Sequence, residues 1–231
     1  MISKSARHFL SRLRHHFLSR TWHRWHQLAR AFKDSIFFVP NELAECPFTR
    51  YASYRQLESW LAINLPSLDR SFKVIEFGDS NNTIKNFFQK ANYEIAANFP
   101  DVDIQNLTSY SDESYDAVVI DNILEHIPRP ELAMDEIWRI LKKNGFCICI
   151  TPFLIKVHFF PGDYCRYTEQ GLRQLFRRFR EIEINGWGNR FTVETTLYHG
   201  WLTAKNTKRL LRVALWNEPD WPLHYLTIAI K

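Results

Sequence analysis

Between Lys73 and Thr83 the chain reads Lys-Val-Ile-Glu-Phe-Gly-Asp-Ser-Asn-Asn-Thr, an apolar run of strand length holding one acid and ending in glycine and small polar residues. Such a run is characteristic of an interior strand in a parallel sheet, with both faces covered. The turn after it leaves backbone N–H groups exposed at the strand's carboxyl end, where open α/β sheets hold their ligands. An acid inside the strand is costly unless it meets a donor. Glu76 therefore either binds a cofactor with cationic and hydroxyl groups or satisfies the N–H groups of its own turn.

The surrounding pattern extends the sheet. Strands are predicted over 115–120, 146–151, 181–185 and His224–Ile230, with weaker extended segments over 93–96 and 102–104. Helices are predicted over 52–64, 84–89, 130–141 and 169–179, the first stopped by Pro66. Pro130 suits a first helical turn, Gly145 a stop, and Thr168 an N-cap. Asp135 and Arg139 are expected to pair on the outer face of their helix. Alternating strands and helices indicate an α/β fold with a doubly wound, mostly parallel sheet.

Charge is unevenly distributed. Residues 1–33 hold eight Lys or Arg and no acid, whereas the remainder has 22 basic against 25 acidic residues. The globular part is therefore nearly neutral, which argues against nucleic acid as a partner. Residues 3–33 read as a basic amphipathic helix with three competing roles: contact with an anionic membrane surface, a transit-peptide-like segment, or packing against the domain. The expected division is a basic amphipathic helical extension over 1–48 and a globular domain over 49–231. Cys46, Cys147, Cys149 and Cys165 have no disulfide-framework or metal spacing, so no metal site is expected and a reducing, cytoplasmic location fits. No G-x-G-x-x-G occurs, which excludes the usual nicotinamide fingerprint.

Glu76-Phe-Gly78-Asp79-Ser80-Asn-Asn82 resembles the first motif of the class I S-adenosylmethionine-dependent methyltransferases. Tyr115-Asp-Ala-Val-Val-Ile-Asp-Asn-Ile-Leu-Glu-His-Ile-Pro128, followed by Glu136-Ile-Trp-Arg-Ile-Leu-Lys-Lys-Asn-Gly145, is similar to the type 11, small-molecule branch. His158-Phe-Phe-Pro-Gly-Asp-Tyr-Cys-Arg-Tyr-Thr168 is similar to a segment of some bacterial members. The resemblance covers residues 72–180. It implies a Rossmann-like, seven-stranded sheet with an antiparallel last strand, and methyl transfer from S-adenosylmethionine to a small-molecule, glycan- or lipid-linked acceptor, at oxygen.

It also implies roles by position. Glu76 and Gly78, with Asp79, Ser80 and Asn82, would form the turn around the methionine end. Asn98 stands where the ribose is held, Asp103 and Ile104 beside the adenine, and Asp121 and Asn122 beside the methionine and reacting methyl. Where the family has further glycines this chain has Ser80 and Asn82, and no acid stands near the ribose position. These departures motivate a second reading, a degenerate methyltransferase-like binding or scaffold protein.

Two histidines suit a general base near neutral pH. His126 is either that base or a helix-capping group. His158 would stand at the carboxyl edge of the sheet, with Asp163, Tyr164, Arg166 and Tyr167 forming a polar, aromatic lid over the acceptor. The alternative is a structural loop in which Arg166 pairs with Asp163.

Overall fold

The computed structural model of this chain describes residues 49–65, 68–78, 83–158, 161–199 and 216–231. The predicted helix over 3–33 lies outside them. Among the described residues no helix is long and apolar enough to cross a membrane.

Helix α1 (Tyr51–Asn64) precedes strand β1 (Lys73–Phe77), with a short 3-10 helix (Lys85–Phe88) leading to β2 (Asn92–Ile95). Strand β3 (Tyr115–Asp121) is followed by a 3-10 turn (Leu124–His126), helix α2 (Pro130–Ile140) and strand β4 (Leu141–Pro152). Helix α3 (Glu169–Leu175), β5 (Glu181–Trp187), α4 (Arg190–His199) and β6 (His224–Ile230) complete the order. Thr168 caps α3, its hydroxyl accepting from the Gly171 N–H at 3.2 Å.

The described sheet has six strands in the order β2-β1-β3-β4-β6-β5. The first four are parallel, and β6 runs antiparallel to both neighbours. The fold class and the antiparallel last strand agree with expectation; the strand count is six rather than seven. Residues 102–104 form turns, not a strand. Asp103 spends its carboxylate on the Gln105 N–H at 2.9 Å, a side-chain-to-backbone bond that favours a turn over a ladder.

Alternate residues of the central strands feed two cores. Val74, Ala117, Val119, Phe146, Ile148 and Ile150 pack under α1 through Tyr54, Leu57 and Leu61, which are spaced by helical turns. Ile75, Val118, Ile120, Cys147 and Cys149 pack on the opposite face against Ile137, Ile140, Leu172 and Phe176. Both cysteines are thus small buried hydrophobes.

The expected Asp135–Arg139 pair does not form. Arg139 turns inward to Glu136, and donates to the carbonyls of Leu107 and Tyr110, each at 2.8 Å. Asp135 instead accepts from Arg178 at 2.9 Å. A planar fork that meets Glu136 and two loop carbonyls together offsets more unsatisfied groups than one exposed pair does. Arg139→Met should therefore destabilise the protein by about 1–3 kcal/mol, measured by urea unfolding. An unchanged midpoint would show that the loop over 107–112 is held by its apolar contacts instead.

Candidate functional site

Strand order changes direction at β1 and β3, with β2 on one side and β4 on the other. That switch point opens a crevice at the carboxyl ends of the strands. Two left-handed residues turn the chain out of the sheet there, Gly78 with φ 94° and Asn122 with φ 51°. The positive φ favours glycine, and a Cβ on Gly78 would stand 2.6 Å from the Ile123 side chain, which would have to give way. Asn tolerates the left-handed region better than most residues. Asp79, Ser80 and Asn82 lie outside the described residues.

The structure sorts the remaining candidates into two groups. Glu76 and Asp121 share the α1 side of the sheet in a buried polar network. Glu76 is fully buried and accepts from the Tyr93 hydroxyl at 2.7 Å. Asp121 accepts from the Arg50 guanidinium at 2.9 Å and from the Tyr54 hydroxyl. Arg50 also reaches Asn122: with the amide turned so that its oxygen faces the guanidinium, it accepts from Nε at 2.9 Å. Burial alone would lower the Arg50 pKa, and Asp121 and Tyr54 together more than reverse that. Burial, then Asp121, pushes the Tyr54 hydroxyl well up. The Asp121 Oδ1 atom meets no hydrogen-bond donor among the described residues.

Arg50 and Tyr54 are absent from the sequence reading. One signal was available: a cation at the N-cap of a helix opposes the helix dipole, so Arg50 needs a tertiary partner.

The second group lines a cavity of about 490 Å³ at the crevice. Gly78, Asn98, Asp103, Ile104, Asn122, His126 and Tyr164 all contribute to its wall. Its floor is apolar, with Phe77, Val102 and Ile127. Glu76 and Asp121 are not on that wall.

At one end of the cavity the 3-10 turn after β3 brings Glu125 and His126 against the loop after β4. His126 Nδ1 meets the Gly162 carbonyl. His158 receives Asp163 from two directions, with its backbone N–H donating to Oδ2 at 2.9 Å and its ring Nδ1 at 3.4 Å from the same oxygen. The rings stand edge to face with Nε2 atoms 3.1 Å apart. Burial lowers the His126 pKa, and burial pushes the Glu125 carboxyl up to about 8. Glu125, His126 and His158 thus gather three metal-ligating side chains, all 32 or 33 residues apart or adjacent in sequence, where no ligand spacing was visible.

The lid residues divide. Arg166 pairs with Asp163 through both terminal nitrogens, and this holds the Asp163 carboxyl down at about 2. Tyr167 packs partly buried against the sheet, while Tyr164 is 59% exposed beside the cavity. Gly188 and Asn217 bond to each other, which closes the turns around 187–189 and 217–222 by loop packing.

Residues 56–149 match the family model described as a methyltransferase domain, of the type 11 group. The solved structure of DszA carbon methyltransferase is 13% identical with a TM-score of 0.50, over 80% of this chain and 53% of that one. At this identity the likeness shows a shared fold. An S-adenosylmethionine-dependent methyltransferase from Archaeoglobus fulgidus is 13% identical with a TM-score of 0.48, over 80% of this chain and 98% of its own. Phosphoethanolamine N-methyltransferase 2 from Haemonchus contortus, solved with phosphomonomethylethanolamine and S-adenosylhomocysteine, is 12% identical, with a TM-score of 0.47 over 76% and 52%. No curated protein sequence matches the chain.

Proposed function

We propose that this chain, which belongs to the S-adenosylmethionine-dependent methyltransferases through its type 11 domain, methylates an oxygen of a small-molecule, glycan- or lipid-linked acceptor. The observation that carries the reading is the switch-point cavity, which runs from the Gly78 turn to His126.

The residues present fit S-adenosylmethionine. Gly78 gives the backbone close approach without a side chain. Behind the cavity wall, at the ends of β1 and β3, Glu76 and Asp121 place two buried acids whose negative charge suits the cationic amino end of the cofactor. Asp103 and Asn98 line the far wall, where the adenine and ribose would be held. When bound, the cofactor supplies a methyl carbon that a nucleophilic oxygen takes directly, the new C–O bond forming as the C–S bond breaks and its electron pair stays on sulfur. The protein's task is then alignment, which can be worth several kcal/mol or more. His126 lies on the wall with His158 behind it, where an acceptor hydroxyl would surrender its proton. Tyr164 would cover the acceptor, and Asp163 with Arg166 would set the loop that carries it.

Isothermal titration with S-adenosylhomocysteine tests the cofactor half of this reading. Gly78→Ala should weaken binding by about tenfold or more, because left-handed backbone is costly for a residue with a Cβ. Equal affinities for the two proteins would remove the Gly78 turn from the cofactor site. The alternative, a binding protein without turnover, is favoured by Ala97 and Asn98 standing where a ribose-binding acid is expected. Cofactor binding with no S-adenosylhomocysteine released across hydroxylated acceptors would establish it.

A further inference from the structure

We propose that Glu125, His126 and His158 bind one divalent first-row transition-metal cation, such as zinc or manganese, at the edge of the cavity. The cation's binding stands on local geometry; its role in activating the acceptor rests on the O-methylation reading above.

The far side of each imidazole faces an acceptor: His126 Nδ1 meets the Gly162 carbonyl, and His158 Nδ1 stands 3.4 Å from Asp163 Oδ2, at a charge-pair distance rather than in a hydrogen bond. With the hydrogen of each ring on Nδ1, where those acceptors favour it, both Nε2 atoms offer a lone pair. Those two lone pairs face each other across 3.1 Å. Such an approach is repulsive unless a proton or a cation lies between the rings.

The third group favours the cation. Glu125 is fully buried, and among the described residues no hydrogen-bond donor reaches either carboxylate oxygen. Its Oε1 stands 3.6 Å from Nε2 of His126 and 3.9 Å from Nε2 of His158. A circle through the corners of a triangle with sides 3.1, 3.6 and 3.9 Å has a radius of about 2.1 Å, and first-row cations bind histidine nitrogen and carboxylate oxygen at about 2.0–2.2 Å. One ion near that centre would meet all three ligands, end the repulsion and neutralise the buried carboxylate.

Two imidazoles and one carboxylate suit zinc, manganese or iron better than calcium, which prefers oxygen. Asp163, itself held by Arg166, and the Gly162 carbonyl supply the outer contacts that fix ligating histidines. Three protein ligands leave positions open, as catalytic sites do. His126 is part of the cavity wall, so an acceptor hydroxyl can reach the ion. A hydroxyl set against the cation would ionise more readily, its O–H bond breaking with the proton passing to water and the electron pair staying on oxygen. The two histidines then act through the ion they hold rather than as bare bases.

The test uses the full chain, stripped with a chelator and titrated with cobalt(II) chloride while visible absorption and bound cobalt are measured. The segment over 1–33 contains five histidines, so the outcome is read by difference. Wild type should bind one tight equivalent more than Glu125→Gln, His126→Gln or His158→Gln, with d–d bands missing from all three. A His15→Gln/His16→Gln double variant should keep that equivalent and its bands. Equal uptake by wild type and the three variants overturns the proposal, as does loss of the bands only in the N-terminal double variant. Should the three variants fail to fold, Asp163→Asn decides instead: the proposal expects cobalt affinity about 10–100-fold weaker, and unchanged affinity overturns it. Thermal shift with S-adenosylhomocysteine on the same wild-type samples separates the two readings. Cobalt bands without a shift would leave the metal site and remove the methyltransferase assignment; a shift without site-dependent cobalt would do the reverse.

Discussion

Asp121→Ala is expected to lower stability by about 3 kcal/mol or more, because it leaves the largely buried Arg50 guanidinium without its carboxylate. For a chain of this size, that corresponds to a fall in Tm of about 10 °C. The Tyr54 hydroxyl, also buried, loses its acceptor in the same change. Differential scanning calorimetry measures the loss. The double variant Arg50→Met/Asp121→Ala should recover a substantial part of it, since the uncompensated charge is gone. If the single variant melts with wild type, the Arg50–Asp121 pair is exchanged for water without cost and the network does not brace the β3 turn. If the single variant melts early and the double variant gains nothing, the loss belongs to Asp121's other contacts.

Glu76→Ala is expected to weaken S-adenosylhomocysteine binding by about 10–100-fold, the range for a hydrogen bond to a charged group. It should also cost about 1–3 kcal/mol of stability, because the Tyr93 hydroxyl is left without the carboxylate that accepts from it at 2.7 Å. Glu76→Gln keeps an acceptor for Tyr93 but removes the charge. Calorimetric titration beside thermal unfolding therefore separates the two roles. Weak binding with restored stability in Glu76→Gln assigns the charge to the cofactor. Full binding in both variants would show that Glu76 serves the fold alone, the second of the two readings its sequence position allows.

The strands at β1, β3 and β6 were legible because a strand covered on both faces must be apolar along its whole length, and few other elements have that pattern. Gly78 was legible for a related reason: a chain leaving such a strand has to turn at once, and glycine tolerates the turn, whereas Asn122 was singled out by the family resemblance and its left-handed backbone emerged only in the fold. Errors arose where a local rule met a non-local partner. Spacing alone paired Asp135 with Arg139, whereas loop carbonyls from 107 and 110 drew Arg139 away. Residues 102–104 have strand-forming side chains, yet Asp103 diverts its own backbone into a turn. The exit of α4 from the loop after β5 had no anticipated helix, and its Asn189 cap is satisfied through Thr192.

By itself the sequence determined the layer architecture and the place of the crevice, because hydrophobic period and turn chemistry are properties of adjacent residues. Only the tertiary structure decided which polar groups meet there. Arg50 finds Asp121 across 71 positions, and His158 finds His126 across 32. Contacts of that span are set by how strands and helices stack, so their chemistry appears only once the sheet has brought its carboxyl ends together.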